Sequence, residues 1–187
     1  PGGWSQILKK NLNNCKILSV DIKEMKKIDG VDFLCCDFQK KESKEKILKK
    51  LDNKADLLVS DMDGTLLEEE CIDEIAELIG KGPEVKKITA LAMKEGLNFE
   101  EALERRLAFI KGTEIEVLEK CMASRINIRY GAKVLFQTFK KHFGETAILS
   151  GGFTFFSDRI QRDLKADFSF ANVLEFKSNR LTGKILG

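Results

Sequence analysis

The apolar run Leu57-Leu58-Val59 closes in Ser60-Asp61-Met62-Asp63-Gly64-Thr65, and this junction constrains the fold more than any other stretch. An apolar run that ends in two acids and a glycine is expected to be a buried strand that leaves its sheet abruptly. Alternate side chains of an extended strand share a side, so Asp61 and Asp63 fall together, and Gly64 permits a sharp turn outward. Two carboxylates this close repel each other unless something positive joins them. A hard cation such as Mg2+ suits oxygen ligands of that kind. Asp61 is then placed to accept a phosphoryl group, and Asp63 to exchange protons with the leaving and attacking oxygens. Asp63-Gly64 taken alone is better explained by ordinary turn chemistry; the segments downstream reverse that and favour a phosphoryl-transfer site.

The chain has 187 residues, 43% of them apolar and 33% charged, which allows one large domain or two small ones. No segment approaches the length of a membrane span and no charged-then-apolar leader opens the chain, so a cytoplasmic protein without a membrane partner is expected. The sequence leaves the oligomeric state open. Pro1 stands where a methionine would begin a natural start, and it is not expected to be one. The five cysteines, Cys15, Cys35, Cys36, Cys71 and Cys121, include no Cys-x-x-Cys and are expected to be reduced thiols. The single histidine, His142, follows two lysines near the end of an expected helix and suits a structural role, so no histidine-based triad is available. Residues 1–55 hold 13 lysines, no arginine and 8 acids, a local charge of +5, against −3 for the remainder. That basic third would suit an RNA surface, and lysine-rich solvated helix faces account for it equally well.

Periodicity places strands at Lys16 to Asp21, Val31 to Cys36 and Asp56 to Asp61, with a lysine-rich helix from about Ser43 to Leu51. From Glu68 to about Cys121 the pattern turns helical, with Ile72, Ile75, Ala76 and Ile79 on a 3.6 period. Pro83 marks a helix start, and Asn98 before Phe99-Glu100-Glu101 looks like a cap. Strands return at Thr146 to Leu149 and Asp167 to Phe170, with a helix from about Phe155 to Leu164 between them. Val173 to Phe176 and Leu181 to Ile185 are expected to form a hairpin through Ser178-Asn179. The expected fold is α/β: a Rossmann-like parallel sheet with an all-α cap insertion over about 68–125 and a C-terminal β-hairpin.

With these segments placed, residues 57–187 resemble the phosphoserine phosphatases of the haloacid dehalogenase superfamily. Asp61-Met62-Asp63-Gly64-Thr65 matches the first motif and Glu70-Cys71-Ile72-Asp73-Glu74-Ile75-Ala76 the stretch whose Glu contacts substrate. Leu97-Asn98-Phe99-Glu100 through Arg105-Arg106 matches the helical cap, and Ser150-Gly151-Gly152-Phe153 the second motif. The resemblance implies that Asp61 attacks phosphorus to form an aspartyl-phosphate while Asp63 acts as acid and then base. Mg2+ would be held by the Asp61 side chain and the Asp63 backbone carbonyl. Glu70 would take the substrate ammonium, and Arg106 offers its carboxylate a planar fork. Ser150 with the N–H of Gly151 supplies phosphate donors at a strand end opening a helix. Met93 and Phe99 would exclude water when the cap closes. Singly, Met93 and Phe99 suit core packing, Arg106 a solvated helix charge and Glu70 a first-turn acid; their joint spacing favours the site. The family also uses a lysine beyond the hairpin and a later Gly-Asp-Gly-x-Asn-Asp segment. The sequence stops at Gly187 before either, and Lys184 comes too early, so little or no turnover is expected.

Residues 1–61 resemble a second family, the FtsJ-type ribosomal RNA 2'-O-methyltransferases. Pro1-Gly2-Gly3-Trp4-Ser5-Gln6 resembles the S-adenosylmethionine loop, in which small glycines admit the cofactor and Trp4 offers a stacking face. Asp21 suits ribose hydroxyls. Val31-Asp32-Phe33-Leu34 with Asp37 matches the adenine-contacting segment, and Ala55 to Met62 matches the strand whose last acid, Asp61, lies by the methyl donor. Asp63-Gly64 stands where that family has Ala-Pro. The first strand and the catalytic lysines of that family have no counterpart here, so no methyl transfer and only weak cofactor binding are expected.

Both resemblances share Leu-Val-Ser-Asp-Met, so Asp61 belongs to both. The expected division is a partial methyltransferase segment over 1–56 and a partial phosphatase over 57–187, joined by recombination or misassembly at the shared stretch. Strand Lys16 to Asp21 or Val31 to Cys36 is expected to pair with the open edge of the Asp61 strand, giving one hybrid sheet. Three functions stay in view: a phosphoserine phosphatase-like phosphomonoester hydrolase, an S-adenosylmethionine-dependent rRNA methyltransferase fragment, and a non-catalytic phosphate-binding module.

Overall fold

The apolar run before Asp61 forms strand β3 (Leu57–Ser60), and a parallel partner, β4 (Glu145–Phe153), aligns with it from Leu57 opposite Glu145 to Ser60 opposite Ile148. The computed structural model describes residues 2–37, 40–52, 54–95 and 99–186, apart from the side chains of residues 92–95. Two sheets result. β1 (Ile17–Asp21) and β2 (Val31–Cys35) form a parallel pair, flanked by α1 (Gly3–Asn11) and α2 (Lys41–Leu51). The second sheet runs β3-β4-β5-β6, with β5 (Phe168–Lys177) parallel to β4 and β6 (Arg180–Leu186) antiparallel to β5.

Between β3 and β4 the chain makes a π-type turn (Met62–Leu66). It then runs through α3 (Cys71–Leu78), α4 (Gly82–Glu95), α5 (Phe99–Ile110), α6 (Ile115–Ser124) and α7 (Ala132–His142). The first four are the expected all-α insertion, with Pro83 in the opening turn of α4, where its missing N–H costs nothing. The proposed Asn98 cap lies outside the described residues. His142 is the last residue of α7, as its spacing predicts. α8 (Thr154–Leu164) connects β4 to β5 and buries Phe156, Ile160 and Leu164. The apolar core gathers where the insertion meets the second sheet: among the described residues every buried apolar side chain lies at Met62 or beyond. The cap is tied to the hairpin as well. Gly112 N–H donates to Leu181 O (2.8 Å), Leu181 N–H to Thr113 O (2.9 Å), and Arg180 pairs with Glu114. All five cysteines are free thiols, and no helix among the described residues is long and apolar enough to cross a membrane.

Three expectations are corrected. The hybrid sheet does not form: β1 and β2 hydrogen-bond only to each other, and β3 pairs with β4 alone. The first turn of α1 meets both strands instead, Ser5 Oγ donating to Ser19 Oγ of β1 (3.0 Å) and Trp4 reaching the Asp61 carboxylate. Second, Gly3-Trp4-Ser5-Gln6 is helix and not a loop. Gly2, at φ 94°, takes the left-handed conformation that only glycine adopts without strain and so lets α1 begin at once. Third, the strands read at Asp167 to Phe170 and Val173 to Phe176 are one continuous β5. Ala171-Asn172 contains no turn residue pair that breaks it, and the strand changes partner there, from β4 to β6.

The β3–β4 pairing depends on Gly144. A Cβ there would lie 2.0 Å from the Asp56 carbonyl oxygen, which accepts from Glu145 N–H at 2.9 Å. Gly144→Ala is therefore expected to destabilise the protein by about 1–3 kcal/mol, read as a lowered urea midpoint at unchanged m-value.

Candidate functional site

Asp61 follows the last residue of β3, and its Oδ1 accepts from the N–H of Met62 at 2.8 Å. Asp63 keeps extended ψ (132°), Gly64 turns to φ 64°, and Gly64 N–H closes on Glu69 O at 3.1 Å, so the chain doubles back within a few residues. That turn fixes Asp63. Its Oδ1 accepts from the N–H of Cys71, at the start of α3 (2.9 Å), where orphan helix amides favour an anion. Its Oδ2 accepts from Ser150 Oγ (3.2 Å), and Ser150 Oγ in turn accepts from Gly152 N–H (2.9 Å).

The two glycines after Ser150 are there for space. A Cβ on Gly152 would lie 2.4 Å from Asp63 Oδ2, and one on Gly151 would lie 2.6 Å from the Phe99 ring. Asn172 of β5 holds this turn from behind, donating to the carbonyls of Gly151 (2.9 Å) and Gly152 (3.3 Å). Nothing in the residue pattern marks that role, since an asparagine in a strand has no distinguishing spacing. The Cys71 amide is likewise invisible to residue type.

These elements enclose a cavity of about 200 Å3 lined by Asp61, Asp63, Glu70, Phe99, Arg106 and Gly151, among others. Six of the sequence-predicted residues therefore meet around one space. Ser150 is buried beside it with its hydroxyl engaged by Asp63. Met93 falls in α4, but its side chain lies outside the described residues. The residues matched to cofactor binding, Asp61 apart, lie elsewhere. Gly2 caps α1 against Met25, Asp21 accepts from Lys23 N–H (2.8 Å), and the Asp37 carbonyl accepts from Lys40 N–H (3.1 Å). Only Trp4, with its contact to Asp61, and Asp21, close enough to repel it, bear on the acid pair.

The site is rich in carboxylates and short of positive charge. Burial, then the charge of Asp63, pushes Asp61 above the usual carboxylate range, against the Met62 N–H and Trp4. Glu70 as a residue is exposed, yet its carboxyl turns inward, with Oε1 near Gly64. Burial first, then Asp63 and Asp73, raises it to about 7 despite Arg106. Arg106 anchors Nε on Ala102 O (3.3 Å) and draws both Glu70 and Asp73 downward. Among the described residues no three acids, cysteines or histidines gather in metal-ligating geometry. A hard cation that takes two protein oxygens and completes its shell with water and substrate still suits the Asp61–Asp63 pair, and their mutual repulsion favours it.

An α/β protein with this parallel sheet, helical insertion and acid pair agrees with haloacid dehalogenase-like phosphoserine phosphatase structures. A family model, FtsJ-like methyltransferase, matches residues 1–123, and by that match the chain belongs to the FtsJ-like methyltransferase family. That match runs past Asp61 into the helical insertion, where the pairwise similarity is to phosphatases. The chain is 47% identical over 131 residues to a phosphoserine phosphatase of Archaeoglobus fulgidus, covering 70% of this chain and 38% of that protein. It is 44% identical over 131 residues to one of Idiomarina loihiensis, covering 70% and 59%. Among solved structures, a phospho-aspartyl intermediate analogue of phosphoserine phosphatase superposes with TM-score 0.66 at 40% identity, covering 72% of this chain and 64% of that one. A substrate-bound phosphoserine phosphatase complex gives TM-score 0.66 at 39% identity, covering 72% and 63%. The chain thus spans less than two thirds of the length of these relatives.

Two outcomes follow from this geometry. Gly152→Ala must displace Asp63 and crowd the Ser150 hydroxyl, and is expected to destabilise the protein by about 1–3 kcal/mol, measured as a lowered melting temperature. Glu70 binds a proton more tightly in the folded than in the unfolded chain. Its contribution to stability is therefore full below about pH 4.5 and falls as pH rises towards about 7. Glu70→Gln is expected to flatten the loss of melting temperature across that window.

Proposed function

We propose that residues 57–187 form a phosphomonoester-hydrolase site of the phosphoserine phosphatase type. The observation that carries this is the convergence of Asp61, Asp63, Glu70 and Arg106 on one cavity beside the Ser150–Gly152 turn. In this reading Asp61 attacks phosphorus and the serine oxygen departs with a proton from Asp63. Asp63 then takes a proton from water as that water attacks the aspartyl-phosphate, releasing phosphate and restoring Asp61. Glu70 faces the substrate ammonium and Arg106 its carboxylate, while Phe99 and Met93 shield the site from bulk water. Ser150 and the Gly151 N–H serve the phosphate. Mg2+ held by the Asp61 carboxylate and the Asp63 carbonyl would screen the phosphate charge against the incoming nucleophile.

The acid crowding supports an ammonium beside Glu70, and the phosphate, which adds negative charge to a site that holds one arginine against Asp61, Asp63, Glu70 and Asp73, calls for the cation as well. Mg2+-dependent phosphate release from phosphoserine tests it, beside Asp61→Asn, which keeps shape and removes the nucleophile. Whatever release the parent chain supports is expected to fall at least about 10³-fold in the variant. Phosphate binding without release in either protein would favour the non-catalytic phosphate-binding module and overturn the hydrolase.

The match to FtsJ-like methyltransferases favours a second reading for the other end: residues 1–56 are a partial S-adenosylmethionine-binding segment with Gly2, Trp4, Asp21 and Asp37 as its cofactor residues, and Asp61 beyond it as the last. The approach of Trp4 and Asp21 to Asp61 supports it. The lysine-rich residues 1–55 would be its vestigial RNA surface. Equilibrium dialysis with S-adenosylmethionine is expected to give weak binding that Trp4→Ala abolishes; binding unaffected by Trp4→Ala would count against this placement.

A further inference from the structure

We infer that Arg129 is a positioning residue for the loop that carries Asp61 and Asp63, an inference that rests on the hydrolase reading of that loop. Arg129 lies in the return linker between α6 and α7, more than 60 residues from the turn it holds. Its Nε donates to Thr65 O (3.1 Å), and its Nη2 to Leu67 O (3.3 Å) and Gly64 O (3.5 Å). Its backbone N–H donates to Leu66 O at 2.8 Å. One residue therefore engages the carbonyls of four successive residues, 64 to 67.

These carbonyls need such a partner. Asp63 and Gly64 leave helical geometry inside the turn, so the regular ladder that would take them up is broken. A guanidinium presents donors in fixed, divergent directions, which suits several carbonyls at once. Pinning each carbonyl also sets the opposite N–H of its planar peptide, and so turns the Thr65 and Leu66 amides away from Arg129. The neighbouring residues reinforce the grip. Glu69 accepts from the backbone and side-chain N–H groups of Asn127 (both 2.9 Å), Glu68 N–H donates to Asn127 O (3.2 Å), and Leu67 bridges Ile128.

The two linkers of the helical insertion are thereby fastened to each other at the acid pair. Asp63 is held from α3 and β4 through its carboxylate, and Arg129 holds the backbone just after it. Without Arg129, residues 64–67 lose that support, and the spacing of Asp61 and Asp63 loosens. Arg129 touches neither acid and acts only through the loop.

Arg129→Met and Arg129→Lys in the full chain test this, with amide hydrogen exchange and phosphoserine kinetics on each. Arg129→Met is expected to speed exchange selectively over 62–69, leaving 145–164 unchanged, and to lower kcat about 10- to 100-fold with KM within twofold. Arg129→Lys, which keeps the charge and loses the fork, is expected to fall between. Unchanged exchange over 62–69, or a loss confined to KM, overturns the inference. If the parent chain releases no phosphate, the hydrolase reading fails separately. Exchange over 62–69 then decides alone: acceleration in Arg129→Met upholds the clamp, and none overturns it.

Discussion

The parallel register of β3 on β4 is the constraint from which the site follows. With Ser60 opposite Ile148, the residues just past the two strand ends, Asp61 to Asp63 and Ser150 to Gly152, have to share one space. Two chain reversals within a few ångströms of each other are possible only if one side gives up its side chains, and Gly151-Gly152 does so. The Ser150 hydroxyl then reaches Asp63 at 3.2 Å, and the first amide of α3 completes its coordination. Glu70 and Arg106 come from the insertion, which starts and ends beside the same turn. The acids, the donors and the arginine are thus delivered by three separate parts of the chain to a point fixed by four strand pairings.

Much of this was legible in the residues. The apolar run ending in Asp61-Met62-Asp63-Gly64 gave the strand, its exit and the acid pair, because burial, alternation and positive φ each leave a mark on residue type. The helical insertion was legible from its 3.6-residue period, and Glu70, Phe99 and Arg106 from their joint spacing. What escaped rests on contacts without a period. Arg129 and Asn172 act on backbone carbonyls 20 or more residues away in sequence, the Cys71 amide is itself a backbone group, and nothing about an arginine or an asparagine marks which carbonyls it will meet. α1 was hidden because its Gly-Gly opening looks like loop. The continuity of β5 was hidden because a strand that changes partner midway has the same alternation as two strands.

The expected merger of the two halves into one sheet failed for a related reason. Apolar pattern predicts that a strand seeks a partner but not which edge is accessible. β1 and β2 satisfy each other, and the turn of α1 that carries Trp4 and Ser5 bridges from β1 to the end of β3 by side chains. Asp61 is consequently a residue at which the first 56 residues and the rest of the chain meet electrostatically. Burial above all raises its carboxyl, Asp63 adds from one side and Asp21 from the other, and Trp4 opposes the rise.

The tie between the α5–α6 loop and the β5–β6 turn bears on how the cavity can admit a ligand. Gly112, Thr113 and Ile115 are bonded to residues 179–181, and Arg180 adds Glu114 and the Gly112 carbonyl. The insertion is therefore anchored at two places, this one and the paired linkers at Arg129. A body pinned at two points can only swing about the line that joins them. Displacement of the insertion that keeps both anchors is confined to rotation about that line, and α5, which brings Phe99 and Arg106 to the cavity, is the helix whose displacement would change its width.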